Sequence, residues 1–227
     1  MSSFRLRLGQ QIGALCLALA SLSAQADFAS DITVKLIAPG GLTGDATPIS
    51  LSQTVASADL ASGVLAGNLG GSGEVSDFML DNERVFFSGN SILIRAAAGD
   101  VIGGDLVTGY LGAGGSPARY EISGLSVTGQ TITGFMAYAF DGFATSGTSS
   151  ATGLQSPASA GSLVQWVNAS TISFDVSSIV FARRFAGDTD NYAEFRIDLL
   201  TTPVPEPATW LLLSGGLLAV LRRSRKS

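Results

Sequence analysis

Carboxylates are the side chains of this sequence whose type and spacing could support catalysis. They form two groups along the chain, namely Asp77, Asp81 and Glu83, and then Asp188, Asp190 and Glu194. Two carboxylates held about 5–10 Å apart can hydrolyse a glycosidic bond, one as an acid and the other as a base or nucleophile. A carbohydrate-active hydrolase is therefore one hypothesis, and a solvated acidic loop is the simpler interpretation of each group.

The sequence lacks the side chains that most other catalytic sites need. It contains no histidine and a single cysteine, Cys16. Without histidine the chain cannot build a Ser-His-Asp or Cys-His nucleophile or a His-ligated zinc site. One cysteine cannot form an intrachain disulfide. We therefore assign no catalytic residue and expect a protein that is not an enzyme.

A short acidic segment is the one candidate for a metal site. In the segment 187–191, Asp188, Asp190 and Asn191 offer alternating oxygen ligands of the kind that Ca²⁺ prefers. The segment lacks the glycine and the distal glutamate of an EF-hand loop. Calcium is the single cofactor that the sequence suggests, and otherwise we expect none.

The charge distribution separates the body of the chain from its two ends. All 18 acidic residues but only seven of the 13 basic residues lie between Asp27 and Glu206, which gives this stretch a net charge of −11. Such a body repels the phosphates of nucleic acids, so we expect no nucleic-acid partner.

The N-terminus has the three parts of a secretory signal peptide. Two arginines precede the apolar run 12–22, and the small residues Ala24 and Ala26 follow it. This order is typical of a segment that signal peptidase removes. We expect residues 1–26 to be cleaved off, so that the exported chain begins at Asp27.

The C-terminus combines an extended segment, a short apolar run and a basic tail. Pro205 and Pro207 favour extended backbone around Glu206. The run 208–221 would form a helix roughly 21 Å long, which is short for a bilayer core of about 30 Å. Four cations follow and should stay cytoplasmic by the positive-inside rule; they are Arg222, Arg223, Arg225 and Lys226.

These C-terminal features resemble the PEP-CTERM sorting signal. The resemblance rests on Pro205-Glu206-Pro207, the apolar run and the basic tail, and covers residues 203–227. It implies sorting by exosortase, a membrane enzyme, in a Gram-negative host that makes extracellular polysaccharide. The precursor would be anchored transiently in the inner membrane and would then reach the cell surface or the extracellular matrix. The resemblance says nothing about the region between the two signals.

The region 27–202 is predicted to be all-β, as one β-sandwich or jelly-roll-like domain of roughly ten strands. Short apolar, alternating or β-rich runs separated by Gly and Ser clusters favour this class. The predicted strands are 32–37, 49–55, 84–88, 91–95, 131–140, 171–181 with a break at Ser177-Ser178, and 192–199. The segment 142–161, which is rich in Gly, Ser, Ala and Thr, is predicted to be a long loop, or a flexible linker between two subdomains.

Two details of this region make sharper predictions. Gly89-Asn90 separates two strand patterns and indicates a hairpin turn. In 192–199 strict alternation places Ala193 and Phe195 on one face and Glu194 on the other. Six aromatic residues are expected in the core rather than in a ligand platform: Phe78, Phe86, Phe87, Trp166, Phe174 and Phe181.

Two functions remain compatible with the sequence. The first is a non-enzymatic surface or matrix protein that associates with extracellular polysaccharide and supports adhesion or aggregation. The second is the exported hydrolase with paired carboxylates. A carboxylate-lined cleft would favour the hydrolase, whereas its absence would favour binding.

Overall fold

The computed structural model describes residues 27–65, 80, 82–140 and 153–204, and within them the chain is built from short strands. This described part also contains three single turns of 3₁₀ helix, at Ser57–Asp59, Ala160–Leu163 and Asp188–Asp190. The strands are β1 (Ile32–Ala38), β2 (Ile49–Val55), β3 (Val64–Leu65), β4 (Arg84–Ser88), β5 (Ser91–Ala97), β6 (Asp100–Ile102), β7 (Asp105–Val107), β8 (Arg119–Ser123), β9 (Gln130–Phe140), β10 (Leu154–Ser156), β11 (Val164–Asn168), β12 (Thr171–Asp175), β13 (Val180–Phe181) and β14 (Tyr192–Pro203).

The strands form three antiparallel sheets. One five-stranded sheet has the order β11-β12-β8-β1-β2, the other has the order β3-β4-β5-β14-β9, and a four-stranded sheet has the order β10-β13-β7-β6. We call the two larger ones the β1 sheet and the β14 sheet. The prediction of an all-β region is confirmed. No helix among the described residues is long and apolar enough to cross a membrane.

Alternation along the strands builds the core between the two larger sheets. In β1 every second side chain is buried, from Ile32 to Ala38. In β14 the face that carries Ala193, Phe195 and Ile197 is buried, as the alternation predicts. The rings of Phe174 on β12 and Phe195 lie edge to face, with centroids 4.9 Å apart, so the two sheets touch through their inner faces.

The predicted hairpin between β4 and β5 is confirmed. Ser88 pairs with Ser91 across the turn, and Gly89 has a φ of +60°, a conformation that glycine adopts without steric cost. The Asn90 side chain donates a hydrogen bond to the Leu199 carbonyl at 2.7 Å. The turn therefore fixes the register of β5 and also attaches the hairpin to β14.

Two aspects of the strand prediction are wrong. The described residues contain 14 strands rather than roughly ten, because β3, β6, β7, β10 and β13 have only two or three residues each and show no periodicity that a sequence pattern could reveal. The segment 142–161 is not all loop, because its described part contains β10 and part of a 3₁₀ turn. The predicted break in 171–181 is confirmed, since β12 ends at Asp175 and β13 begins at Val180.

The aromatic core prediction is right for three residues and wrong for two. Phe87, Phe174 and Phe181 are buried. Phe86 is half-buried, since it points to the opposite face of β4 from Phe87. Trp166 is 39% exposed, because it lies on the edge strand β11; the centre of its ring lies 5.6 Å from that of Phe135. Phe78 lies outside the described residues.

Replacing Phe195 by alanine should lower the free energy of unfolding by about 3–5 kcal/mol, because it removes a buried ring and leaves a cavity between the sheets. Leu200→Ala, at a residue of the same strand that is 45% exposed, should change it by less than about 0.5 kcal/mol. Urea unfolding of the exported protein measures both. Equal effects of the two variants would contradict the packing described above.

Candidate functional site

The Glu83 carboxylate lies inside the protein, where donors from several elements surround it. Its side chain is 2% exposed. One oxygen accepts hydrogen bonds from the hydroxyls of Tyr110 and Tyr120, both at 2.9 Å, and from the Leu80 amide at 3.1 Å. The other oxygen accepts from the Ala97 amide at 3.2 Å. Glu83 thereby connects the β4–β5 hairpin to β8 of the opposite sheet.

Burial dominates the protonation of this cluster. Loss of solvation raises the pKa of Glu83 from 4.5 to about 7, and the four donated hydrogen bonds only partly oppose it. The pKa values of Tyr110 and Tyr120 are well above the ordinary value, first because both are buried and second because the Glu83 charge lies beside them. Glu83 and both tyrosines are buried, so this carboxyl group has no access to solvent and contributes to the packing of the core.

The Glu194 carboxylate lies on the opposite, outer face of the β14 sheet. The Arg95 guanidinium donates to it through two nitrogens, and Arg84 donates to the same oxygen at 3.2 Å. Arg84 and Arg95 face each other directly across β4 and β5, an arrangement of like charges that repels. Glu194, opposite Arg95 on β14, compensates this repulsion.

Arginine and aromatic side chains continue from Glu194 across the outer face. The Arg84 guanidinium lies 5.1 Å from the Phe86 ring centre, and that of Arg95 lies 4.3 Å from the Tyr192 ring. The Tyr192 ring stacks on that of Phe185 at 5.5 Å, with 20° between the planes. Arg184 covers both of these rings, at 5.1 and 5.4 Å. We call this set the arginine–aromatic row: Phe86, Arg84, Arg95, Tyr192, Phe185 and Arg184.

The pairing register of the strands brings the residues of the row together, and the row is accessible to solvent. Arg84 and Arg95 come from adjacent strands, whereas Phe185 lies in the segment before β14. Phe185 is 44% exposed, and the side chains of Arg84 and Arg95 are 25% and 17% exposed. Guanidinium groups stacked on aromatic rings provide both apolar faces and hydrogen-bond donors, which suits planar or ring-shaped polar ligands.

The segment 187–191, predicted to bind calcium, is held by its own hydrogen bonds. The Asn191 side-chain oxygen accepts from the amides of Arg184 and Phe185 at 2.7 and 3.0 Å, and its nitrogen donates to the Gly187 carbonyl at 2.7 Å. Asp188 forms an ion pair with Arg183. Among the described residues no three acidic side chains are grouped to hold a metal ion. Calcium binding by this segment stays a prediction.

The two clusters of acidic residues noted in the sequence are described only in part. Asp77 and Asp81 lie outside the described residues. In the second group, Glu194 is bound by two arginines and Asp188 by another. Two pockets of about 350 and 320 Å³ occur in the described part of the chain, and each is lined by a single carboxylate, Asp45 in one and Asp100 in the other.

Sequence reasoning placed Tyr192 and Glu194 on one strand face but missed the row. The two arginines that reach Glu194 lie about 100 residues earlier in the chain, and only the β5–β14 register brings them together. The signal peptide residues Ala24 and Ala26 and the C-terminal residues from Pro205 onward lie outside the described part.

Comparison with known proteins identifies the C-terminal segment of the chain. A family model, the PEP-CTERM protein-sorting motif, matches residues 203–226. The chain carries a PEP-CTERM sorting motif. The motif indicates an exported protein that exosortase sorts. No curated protein and no solved structure matches the chain. The PEP-CTERM match agrees with the sequence prediction and names the partner enzyme of this segment, exosortase.

The stability of the protein should fall as the pH rises from 4.5 to about 7. The folded state binds the Glu83 proton more tightly than the unfolded state, so the folded state loses this advantage as the pH passes the folded pKa. The loss amounts to about 3 kcal/mol. No histidine titrates in this window, because the chain has none.

Urea unfolding of the exported protein at about pH 4.5 and about pH 8 measures this dependence, with Glu83→Gln as the comparison. The variant replaces the carboxyl by a neutral amide of the same shape, so its free energy of unfolding should no longer depend on pH in this range. If the free energy of unfolding of the variant fell by the same amount between the two pH values, another titrating group would be responsible.

Glu206→Ala should leave export intact but block removal of the C-terminal segment, because Glu206 is the charged residue of the Pro205-Glu206-Pro207 recognition element. Thr202→Ala, just outside the matched residues 203–226, should be processed normally. The masses of surface protein and membrane precursor are compared in cells with and without exosortase. Surface protein that is intact through Ser227 in both strains would contradict processing.

Proposed function

We propose that this protein is an exported, non-enzymatic surface or matrix protein of a Gram-negative bacterium, which holds extracellular polysaccharide after exosortase sorting. In this proposal signal peptidase releases the chain at Asp27, the inner membrane holds the precursor transiently, and the all-β body is a β-sandwich that carries the binding surface. The PEP-CTERM motif at residues 203–226 is the observation that carries the proposal, because it marks the chain as exosortase cargo.

The arginine–aromatic row supports polysaccharide as the ligand. Sugar rings present apolar C–H faces and equatorial hydroxyls, so a surface that alternates aromatic rings with hydrogen-bond donors complements them. Phe185 and Tyr192 provide stacked rings, and Arg184 lies over both. The row is open to solvent rather than enclosed, as binding along a long polymer requires, since Phe185 is 44% exposed.

The positions of the carboxylates favour binding over hydrolysis. A glycosidase needs two carboxyl groups on either side of one bond. Glu83 points into the core and Glu194 to the outer face of the β14 sheet, so these two cannot act on one substrate. Within the second group, Glu194 and Asp188 are both engaged by arginines. The positions of Glu83, Glu194 and Asp188 therefore favour binding as the proposed function.

The exported protein should sediment with purified extracellular polysaccharide of its host without releasing new reducing ends. Phe185→Ala should weaken this association roughly fivefold, which corresponds to the loss of about 1 kcal/mol for one aromatic contact. Met136→Ala serves as the control, because Met136 is 59% exposed and lies on β9 of the same sheet, outside the row.

The outcomes separate the two functions. Release of reducing ends that depends on a carboxylate would favour the hydrolase. Sedimentation that is equally strong for Phe185→Ala and the unchanged protein would place the binding surface elsewhere. No association with the polysaccharide at all would reject the proposed ligand, while exosortase sorting would remain.

A further inference from the structure

The two ends of the described body lie next to each other in space. Near the N-terminus, the Asp27 carbonyl accepts a hydrogen bond from the Thr128 amide at 3.3 Å, and Phe28 forms a β-bridge with Val127. Near the C-terminus, the Val204 amide donates to the Gly129 carbonyl at 2.9 Å. The chain therefore enters and leaves the body beside consecutive residues of one turn.

We define the exit end as residues 27–30, 126–130 and 201–204. These residues contain one charged side chain, Asp27, within a body that carries 18 acidic and seven basic residues between Asp27 and Glu206. Thr128 and Val204 are exposed. Because it carries a single charged side chain, the exit end is repelled less by a membrane surface that contains anionic lipids than the acidic remainder of the body is.

The connections from the exit end to the predicted membrane segments are short. Four residue steps join Val204 to Ala208, where the predicted apolar run begins, and they span at most about 14 Å. Five steps join Leu22, the end of the signal-peptide apolar run, to Asp27, and they span at most about 18 Å. Before signal peptidase acts, both segments would therefore attach the body to the membrane by the same end, and afterwards the C-terminal segment alone would do so.

We propose that the exit end faces the inner membrane during sorting and is the surface on which membrane-bound exosortase docks. The matched sorting motif begins at residue 203, which is the last residue of β14 and still pairs with Gln130 of β9. An enzyme that acts on this motif from the membrane must then approach Thr128 and Gly129 closely. The opposite end, with the loop between β1 and β2, points away from the bilayer.

A charge at the exit end tests the docking directly. Thr128→Glu should slow removal of the C-terminal segment several-fold in pulse-chase labelling, while export stays unchanged. Ser50→Glu, at an exposed position near the other end of the β1 sheet, should leave the rate unchanged. Equal processing of the two variants would overturn the proposal.

A second measurement does not depend on how well the glutamate variant folds. The only cysteine, Cys16, lies in the predicted signal peptide, so a single introduced cysteine gives a unique label. The precursors of Thr128→Cys and Ser50→Cys are exported from exosortase-deficient cells and labelled with a fluorophore. They are then inserted into phosphatidylcholine vesicles in which some lipid headgroups carry an energy acceptor. The dye at position 128 should lie about 20 Å closer to the headgroups, the length of a seven-residue strand.

Energy transfer to the headgroups that is equal for the two dye positions, or stronger from position 50, would overturn the proposal. Polysaccharide sedimentation by the same variants tests the proposed function separately, because neither Thr128 nor Ser50 belongs to the arginine–aromatic row. A failure of one inference therefore leaves the other intact.

Discussion

The two-sided pairing of β14 is the constraint on which the rest of the structure depends. This 12-residue strand pairs with β5 from Tyr192 to Asp198 and with β9 from Glu194 to Pro203, so both of its sides are paired from Glu194 to Asp198. Its inner face contributes Phe195 to the contact between the two larger sheets, and its outer face holds Glu194 between two arginines. Its last residues lead directly into the sorting motif. One strand thus contributes to the core and to the surface row, and it ends where the sorting motif begins.

The length of β14 also separates the two proposed surfaces. Tyr192 opens the strand inside the arginine–aromatic row, and Pro203 closes it at the exit end. Eleven residue steps correspond to about 35 Å in an extended strand. A body held to the membrane at the exit end would therefore present the row away from the bilayer. In the proposed function, one small domain would be processed at one end and would bind polymer at the other.

Glu83 completes the packing that this arrangement requires. Its buried carboxyl accepts hydrogen bonds from Tyr110, Tyr120 and two amides, so it adds a polar link between elements that the apolar core also joins. Removing one partner of such a network leaves buried polar groups unsatisfied, which costs more than the hydrogen bond itself. Burial of this carboxyl, which the network only partly offsets, raises its pKa to about 7 and ties folding to pH.

The sequence was sufficient where local patterns decide the structure. The β4–β5 hairpin follows from Gly89-Asn90, and the faces of β14 follow from strict alternation. It was insufficient where the partner lies far along the chain. Nothing local shows that Glu83 meets Tyr120, or that Glu194 meets Arg95, because both contacts depend on strand register. The prediction that Trp166 lies in the core is wrong for a related reason, since only the sheet order makes β11 an edge strand.

Hydroxyl-radical footprinting of the exported protein, with and without the host polysaccharide, tests the central claim most directly, because it reports which side chains the polymer covers. The account predicts lower modification of Phe185 and Tyr192 when polysaccharide is present, with Met136 and Trp166 unchanged. Both of these control residues are exposed and lie on strands outside the arginine–aromatic row. Protection of Met136 or Trp166, with Phe185 and Tyr192 unaffected, would contradict it.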